Sequence, residues 1–373
     1  MLNQICACNP DFIAEVRSTT PVLVRHLHAI ATGSSPEHDV NGITDPFLQV
    51  KLLRLLAVLG KGDLKASEAM NDLLAQVAMG TEASKNVGNS ILYEAVIAIM
   101  NIESDSALRV LGINILGKFL SNRDSNIKYV ALVTLTKTSQ MAAQTDSTAL
   151  QRHRTTVLDC LCDPDISIRR RALDLSFHLI NSGNIRVLIR ELLTFLETAE
   201  PDIKGSVSSR ICSYAGRFRP NKRWEIDTVT RVLRIAGEYV DQSVINHFVK
   251  LVSTGDSVAH SYTVKKLFYI IKNEGTLAHS QEGLIQAAFW SIGEYGDSLV
   301  SGHSIAGFGS EEDTEGETTP SITAPTETEV LDLLLFILKS VYATNFVKEY
   351  GVTALAKLVG KFANAQVIQY FMD

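Results

Sequence analysis

Aromatic residues are sparse in this chain, 7% of 373, with only two tryptophans, nine prolines and five cysteines. No uncharged run exceeds 13 residues, Ser298 to Ser310, and that run is rich in Gly and Ser. A helix that spans a bilayer needs about 18 or more apolar residues, so the sequence offers no such span. The opening residues MLNQICACNPDF lack the basic start and apolar stretch of a secretory signal. The chain is therefore expected to be soluble and cytosolic. Cys6, Cys8, Cys160, Cys162 and Cys212 form an odd set without secretory context and are expected as reduced thiols.

Sequence signatures of catalysis are missing too. There is no GxxxxGK[ST] phosphate loop, no GxSxG elbow, no HExxH and no CxxC pair. Cys6 and Cys8, like Cys160 and Cys162, stand two apart, which on a helix separates them by about 200°. Neither pair can close on one zinc, and the same geometry parts His26 from His28. No catalytic residue, cofactor or metal ligand is expected. An enzyme with a dispersed site is the weakest of the readings.

Charge is present but uneven. The net charge is −6, yet residues 301–329 hold seven acids and no Lys or Arg, which leaves the rest at +1. A nucleic-acid binder would show a strongly basic domain, and none is here. Residues 301–329 are also rich in Gly, Ser, Thr and Pro, and cannot bury enough apolar surface to offset their ordering entropy. They are expected as a disordered loop, with a shorter loop at Gly33–Asp45.

Elsewhere the apolar residues recur with a helical period. Ile127, Val130, Ala131 and Leu135 share a face, as do Ile168, Ala172, Leu175 and Leu179. Ile185, Leu188, Ile189, Leu192 and Leu196 repeat the pattern, and Val352, Leu355, Val359 and Phe362 close it. Phe47 to Leu59 is apolar on nearly all sides, which predicts a helix covered by several neighbours.

The helical stretches resemble one another. DSNIKYVAL from Asp124 and DISIRRRAL from Asp165 share acid, Ile, base, Ala and Leu at matching offsets, 41 residues apart. DPFLQVKLL from Asp45 and DSALRVLGI from Asp105 are looser copies. The opening Asp can accept from free amides of the first turn. A period near 40 built from helix pairs lies in the HEAT/armadillo range, and such units stack into an α-solenoid. The expected fold class is all-α.

Basic residues cluster at Arg152-His153-Arg154, at Arg169, Arg170 and Arg171, and at Arg217, Arg219, Lys222 and Arg223 beside Trp224. The last two clusters are candidate contacts for anionic lipid headgroups or an acidic partner. The competing reading is solvated faces and ion pairs between repeats, because three successive helical residues fan over some 200°. Residues 217–224 look like a corner between helices, broken by Pro220.

Several long blocks carry a resemblance. They include SPEHDVNGITDPFLQVKLLRLL (35–56), SEAMNDLLAQVAMGTEASKNVGNSILYEAV (67–96) and LRVLGINILGKFL (108–120). NIKYVALVTL (126–135), RHRTTVLDCLCDPDISIRRRALDLSF (152–177), KRWEIDTVTRVL (222–233) and FWSIGEYGDSLVSG (289–302) continue it. Together they resemble the trunk of the gamma-adaptin family, large subunits of the heterotetrameric clathrin adaptor of the trans-Golgi network and endosomes.

The resemblance implies a non-catalytic scaffold in cargo sorting and clathrin recruitment. It would be peripheral on trans-Golgi network, endosome and coated-vesicle membranes. The implied partners are a beta-type large adaptin and the medium and small subunits. An Arf-family GTPase and phosphoinositide membrane would act through the complex, and clathrin would bind through parts outside this chain. The family's trunk starts before the block that matches Leu2, so an uncapped apolar face is expected at the amino end. The expected organisation is trunk over 1–300, acidic loop over 301–329 and further trunk helices over 330–373. Two rival classes are an importin-like α-solenoid carrier and a direct binder of anionic lipid.

Overall fold

An aspartate at a helix start stabilises it only if the carboxylate meets a free N–H of the first turn. In the computed structural model, Asp165 accepts from Ser167 N and Asp124 from Asn126 N, both at 2.8 Å. Asp45 accepts from Leu48 N at 3.3 Å. Asp105 occupies the same position with ψ 151° but makes no such bond. Asp165→Ala is therefore expected to cost about 1 kcal/mol in chemical denaturation. Asp105→Ala should change stability by less than about 0.5 kcal/mol.

The structure describes residues 2–9, 11–33, 38–81, 86–141, 144–274, 281–301, 324–340 and 343–362. The chain divides into two compact units, Met1–Leu179 and Ile180–Asp373, a division that the sequence does not announce.

In the first unit the helices are α1 (Leu2–Cys8), α2 (Asp11–Arg17), α3 (Thr20–Thr32), α4 (Pro46–Gly60), α5 (Leu64–Gly80) and α6 (Asn86–Asn101). There follow α7 (Ser106–Leu120), α8 (Ser125–Met141), α9 (Gln144–Gln151), α10 (Arg154–Asp159) and α11 (Ile166–His178). Helices pack both on their neighbours and two places along: α3 on α5, α4 on α6, α5 on α7. Polar bridges follow the same stride. Arg54 Nε donates to Glu94 at 2.7 Å, Lys128 Nζ donates to Asp163 at 2.7 Å, and His153 meets Asn114 at 3.2 Å. Their separations of 40, 35 and 39 residues carry the sequence period into space.

The second unit holds α12 (Ile185–Thr198), α13 (Pro201–Phe218), α14 (Lys222–Ala236), α15 (Gln242–Ser253) and α16 (Ser257–Glu274). It continues with α17 (Glu282–Val300), α18 (Glu327–Leu338) and α19 (Asn345–Val359). Again α12 packs on α14, α13 on α15, α14 on α16, α15 on α17 and α17 on α19. Asp227 accepts from Tyr262 O–H at 2.7 Å and from Lys266 Nζ at 2.9 Å, 35 and 39 residues along. Each unit is thus built as stacked helix pairs, the α-solenoid plan.

Four details depart from the sequence reading. The Gly33–Asp45 loop contains a two-stranded pair, Asp39–Val40 with Ile43–Thr44, around Asn41-Gly42 at φ 58° and 82°. Asn-Gly suits a turn that needs positive φ at both positions. α4 is covered on several sides as expected, with Leu53, Leu55, Leu56, Ala57 and Leu59 buried among α1, α2, α3, α5 and α6, but Phe47 at its head is 74% exposed. In α19 Val352 is exposed, and the buried stripe is Val347, Gly351, Ala354, Leu355 and Leu358. The small residues are the reason, since a Cβ on Gly351 would lie 2.4 Å from Leu338 Cδ2. Finally, helix resumes at Glu327, capped by Thr326, inside the segment expected to be loop. The acidic residues 311–317 lie outside the described residues.

Candidate functional site

No single constellation dominates the described residues. No group of His, Cys, Asp and Glu among them could hold a metal ion, and no described helix is long and apolar enough to cross a membrane. All five cysteines are free; Cys6 and Cys160 are buried while Cys8 and Cys162 are exposed, as their two-residue offset requires.

The basic candidates are tied into the fold. Arg169 Nη1 donates to the carbonyls of Asp163 at 2.9 Å and Pro164 at 3.0 Å. Arg171 donates to Tyr129 Oη at 3.3 Å, stacks over that ring and pairs with Asp174 at 3.7 Å. Arg170, between them, is exposed. The three side chains therefore do not converge on one ligand position. In the second unit, α13 ends at Phe218 and α14 starts at Lys222, so the run around Pro220 is the corner that its sequence suggests. Arg217 lies over the Phe218 ring at 5.0 Å, and Lys222 Nζ donates to Thr254 O at 2.9 Å. Arg223 is buried over the Tyr262 ring at 4.9 Å.

Arg219 has a different setting. Its Nη1 donates to Glu225 Oε2 at 2.7 Å, and His247 Nε2 stands 3.3 Å from Glu225 Oε1. Ser209, Cys212, Ser213, Gly216, Ser243 and Val244 complete a cleft of about 400 Å³ around them. Glu225 is only 1% exposed, and burial works to raise its pKa. The hydrogen bonds from His247 and Arg219 outweigh burial and hold it below the ordinary 4.5.

A depressed carboxyl contributes stability that is present above its unfolded pKa and lost as pH falls through the folded one. Glu225→Gln should therefore cost about 2 kcal/mol near neutral pH. The loss should shrink on acidification below about pH 4.5. Urea melts of both chains across that range would show an equal deficit at every pH if the charge were irrelevant.

This cleft also brings a thiol, an imidazole and a carboxylate together, which no sequence spacing advertised. It lacks the chemistry of a nucleophile. Burial, with the charge of Glu225 adding to it, pushes the Cys212 thiol up to about 12, whereas a reactive thiol needs a lowered pKa. Among the described residues the one hydrogen bond of the His247 ring goes to Glu225, not to Cys212 or a serine.

A second recess, of about 260 Å³, lies between α17 and α19 and is lined by Trp290, Gly293, Glu349, Tyr350, Thr353, Ala354 and Lys357. The two helices run side by side because Gly293 has no Cβ; one would lie 2.8 Å from Ala354 Cα. Tyr295 breaks the helical dihedrals of α17, with φ −128° and ψ 24°, and stacks on His260 at 4.0 Å.

Comparison with known proteins adds what this geometry does not. The sequence matches the family model of the adaptin N-terminal region over residues 1–373. It is similar to the AP-1 complex subunit gamma-1 of Mycosarcoma maydis, 51% identical over 363 residues, which cover 97% of this chain and 39% of that one. Similarity to the AP-1 complex subunit gamma of Dictyostelium discoideum is 44% over 368 residues, 98% and 39% of the two chains. The chain thus spans about two-fifths of the length of these relatives. Among structures, a homology model of the full-length AP-3 complex in an intermediate open conformation covers the whole chain and 66% of its own. Its TM-score is 0.57 at 16% identity, a likeness of fold alone.

Proposed function

Because the chain belongs to the adaptin N-terminal family, we propose that it acts as a non-catalytic scaffold, the gamma-type large subunit of an AP-1 clathrin adaptor complex. The observation that carries the reading is 51% identity along 97% of the chain to a protein named as that subunit. In this role it assembles with a beta-type large adaptin, a medium subunit and a small subunit. The complex is brought by an Arf-family GTPase and phosphoinositide to trans-Golgi network and endosomal membranes, where it sorts cargo and recruits clathrin. Two features of the chain support a scaffold: stacked helices whose polar bridges recur at similar strides, and basic side chains, Arg54, Lys128 and Arg169 among them, bonded within the fold.

Liposome flotation tests the proposal. Co-expressed with the other three subunits, the chain should float with vesicles that contain phosphatidylinositol 4-phosphate and GTP-loaded Arf. Alone, it should stay at the bottom of the gradient. If the chain alone floats as well as the complex does, it binds anionic lipid directly, and Arg169–Arg171 and Arg217–Arg223 become its contact candidates.

A further inference from the structure

The recess between α17 and α19 has a wall chemistry that the scaffold role does not use. Two part-exposed aromatic side chains, Trp290 and Tyr350, line it. Tyr350 is tethered through its hydroxyl, which accepts from Gln242 Nε2 at 3.4 Å. Glu349, on the rim, is exposed, and its carboxylate makes no ion pair among the described residues. The nearby base, Lys357, is spent on Glu294. α17 carries three acids and no base, but α19 brings Lys348 and Lys357 and Lys361 follows it, so the charge around the recess is close to balanced. What invites a cation is Glu349 itself, the one carboxylate on the recess wall, because Lys357 is already paired with Glu294. At about 260 Å³ the recess is smaller than the roughly 300–1,000 Å³ of small-molecule sites, and fits one side chain.

We propose that this recess is a docking site for a single arginine side chain of a basic peptide segment of a partner. The guanidinium lies against the indole of Trp290 and the Tyr350 ring, and Glu349 accepts its hydrogen bonds. Arginine suits the site better than lysine because its planar, weakly hydrated head stacks on aromatic faces while it donates to a carboxylate.

The two tryptophans make the test direct. The chain labelled with 5-fluorotryptophan gives one fluorine signal from Trp224, which is buried, and one from Trp290. It is titrated with a capped hexapeptide that carries one central arginine, and with the same peptide carrying citrulline, the neutral isostere. The expected result is a saturable shift of the Trp290 signal alone, with citrulline binding at least about fivefold more weakly. Glu349→Gln should weaken arginine binding by about fivefold. Glu197→Gln, an equal charge change on α12 outside the recess, should leave it unchanged. No shift at Trp290, equal titration by citrulline, or equal weakening by Glu197→Gln would each overturn the proposal.

Discussion

Lys128→Met is expected to cost about 3 kcal/mol of folding free energy near neutral pH, with a deficit that fades in acid, below the ordinary carboxyl pKa. Lys128 Nζ donates at 2.7 Å to Asp163, a carboxylate only 8% exposed that also accepts from Asp165 N at 3.0 Å. Burial works to raise the pKa of Asp163, but the bonds from Lys128 and Asp165 N overcome it and hold the group below the ordinary 3.8. Removal of Lys128 leaves a buried charge without its cation, the costly way to break such a pair.

The sign of the pH effect follows. The wild-type pair contributes stability above the unfolded carboxyl pKa and loses it as pH falls through the lower, folded value. In the variant the lowering effect of Lys128 is gone and only the Asp165 N–H and the charge of Arg169 oppose burial, so the Asp163 pKa rises and the carboxyl takes up a proton at higher pH than in the wild type. Urea melts at about pH 7 and pH 3 should show the gap closing. Adding Asp163→Asn to the variant should recover part of the loss. An equal deficit at both pH values would mean that lost packing, not charge, sets the cost.

Phe268→Ala is expected to destabilise the second unit by about 3 to 5 kcal/mol. The ring is fully buried on α16, edge-on to Tyr269 at 5.4 Å and under the Lys272 ammonium at 5.7 Å. Truncation removes apolar contacts and leaves a cavity that a stack of paired helices cannot collapse without shifting a repeat. Phe336, 56% exposed on α18, is the control, and its alanine variant should differ by less than about 0.5 kcal/mol. Thermal melts of the two variants decide it: similar midpoints would place Phe268 outside the core.

The helical period was legible because it is written in large apolar residues. Ile168, Ala172, Leu175 and Leu179 are all buried, as their spacing foretold. Three of the four helix-opening aspartates, Asp45, Asp124 and Asp165, were legible as caps for a similar reason, since a cap is a local bond between near neighbours; Asp105 makes none. What the pattern missed was carried by small residues. Gly293, Gly351 and Ala354 let α17, α18 and α19 approach, and a reading that counts only large apolar positions chose Val352 instead. The pairings made by the basic clusters were not legible, for another reason. Arg219 and Glu225 stand six residues apart across a helix corner, where no fixed spacing signals a pair. Trp290 and Glu349 are brought to one recess from opposite sides of the acidic segment, so only the fold shows them together. Identity came from long blocks of sequence likeness, since the geometry of a helical stack states no partner.

Assembly is the central claim, and affinity purification of the tagged chain from cytosol, followed by mass spectrometry, tests it most directly. The account predicts that a beta-type large adaptin, a medium subunit and a small subunit are recovered with it. A chain that is helical by circular dichroism yet recovers no adaptor subunit would contradict it.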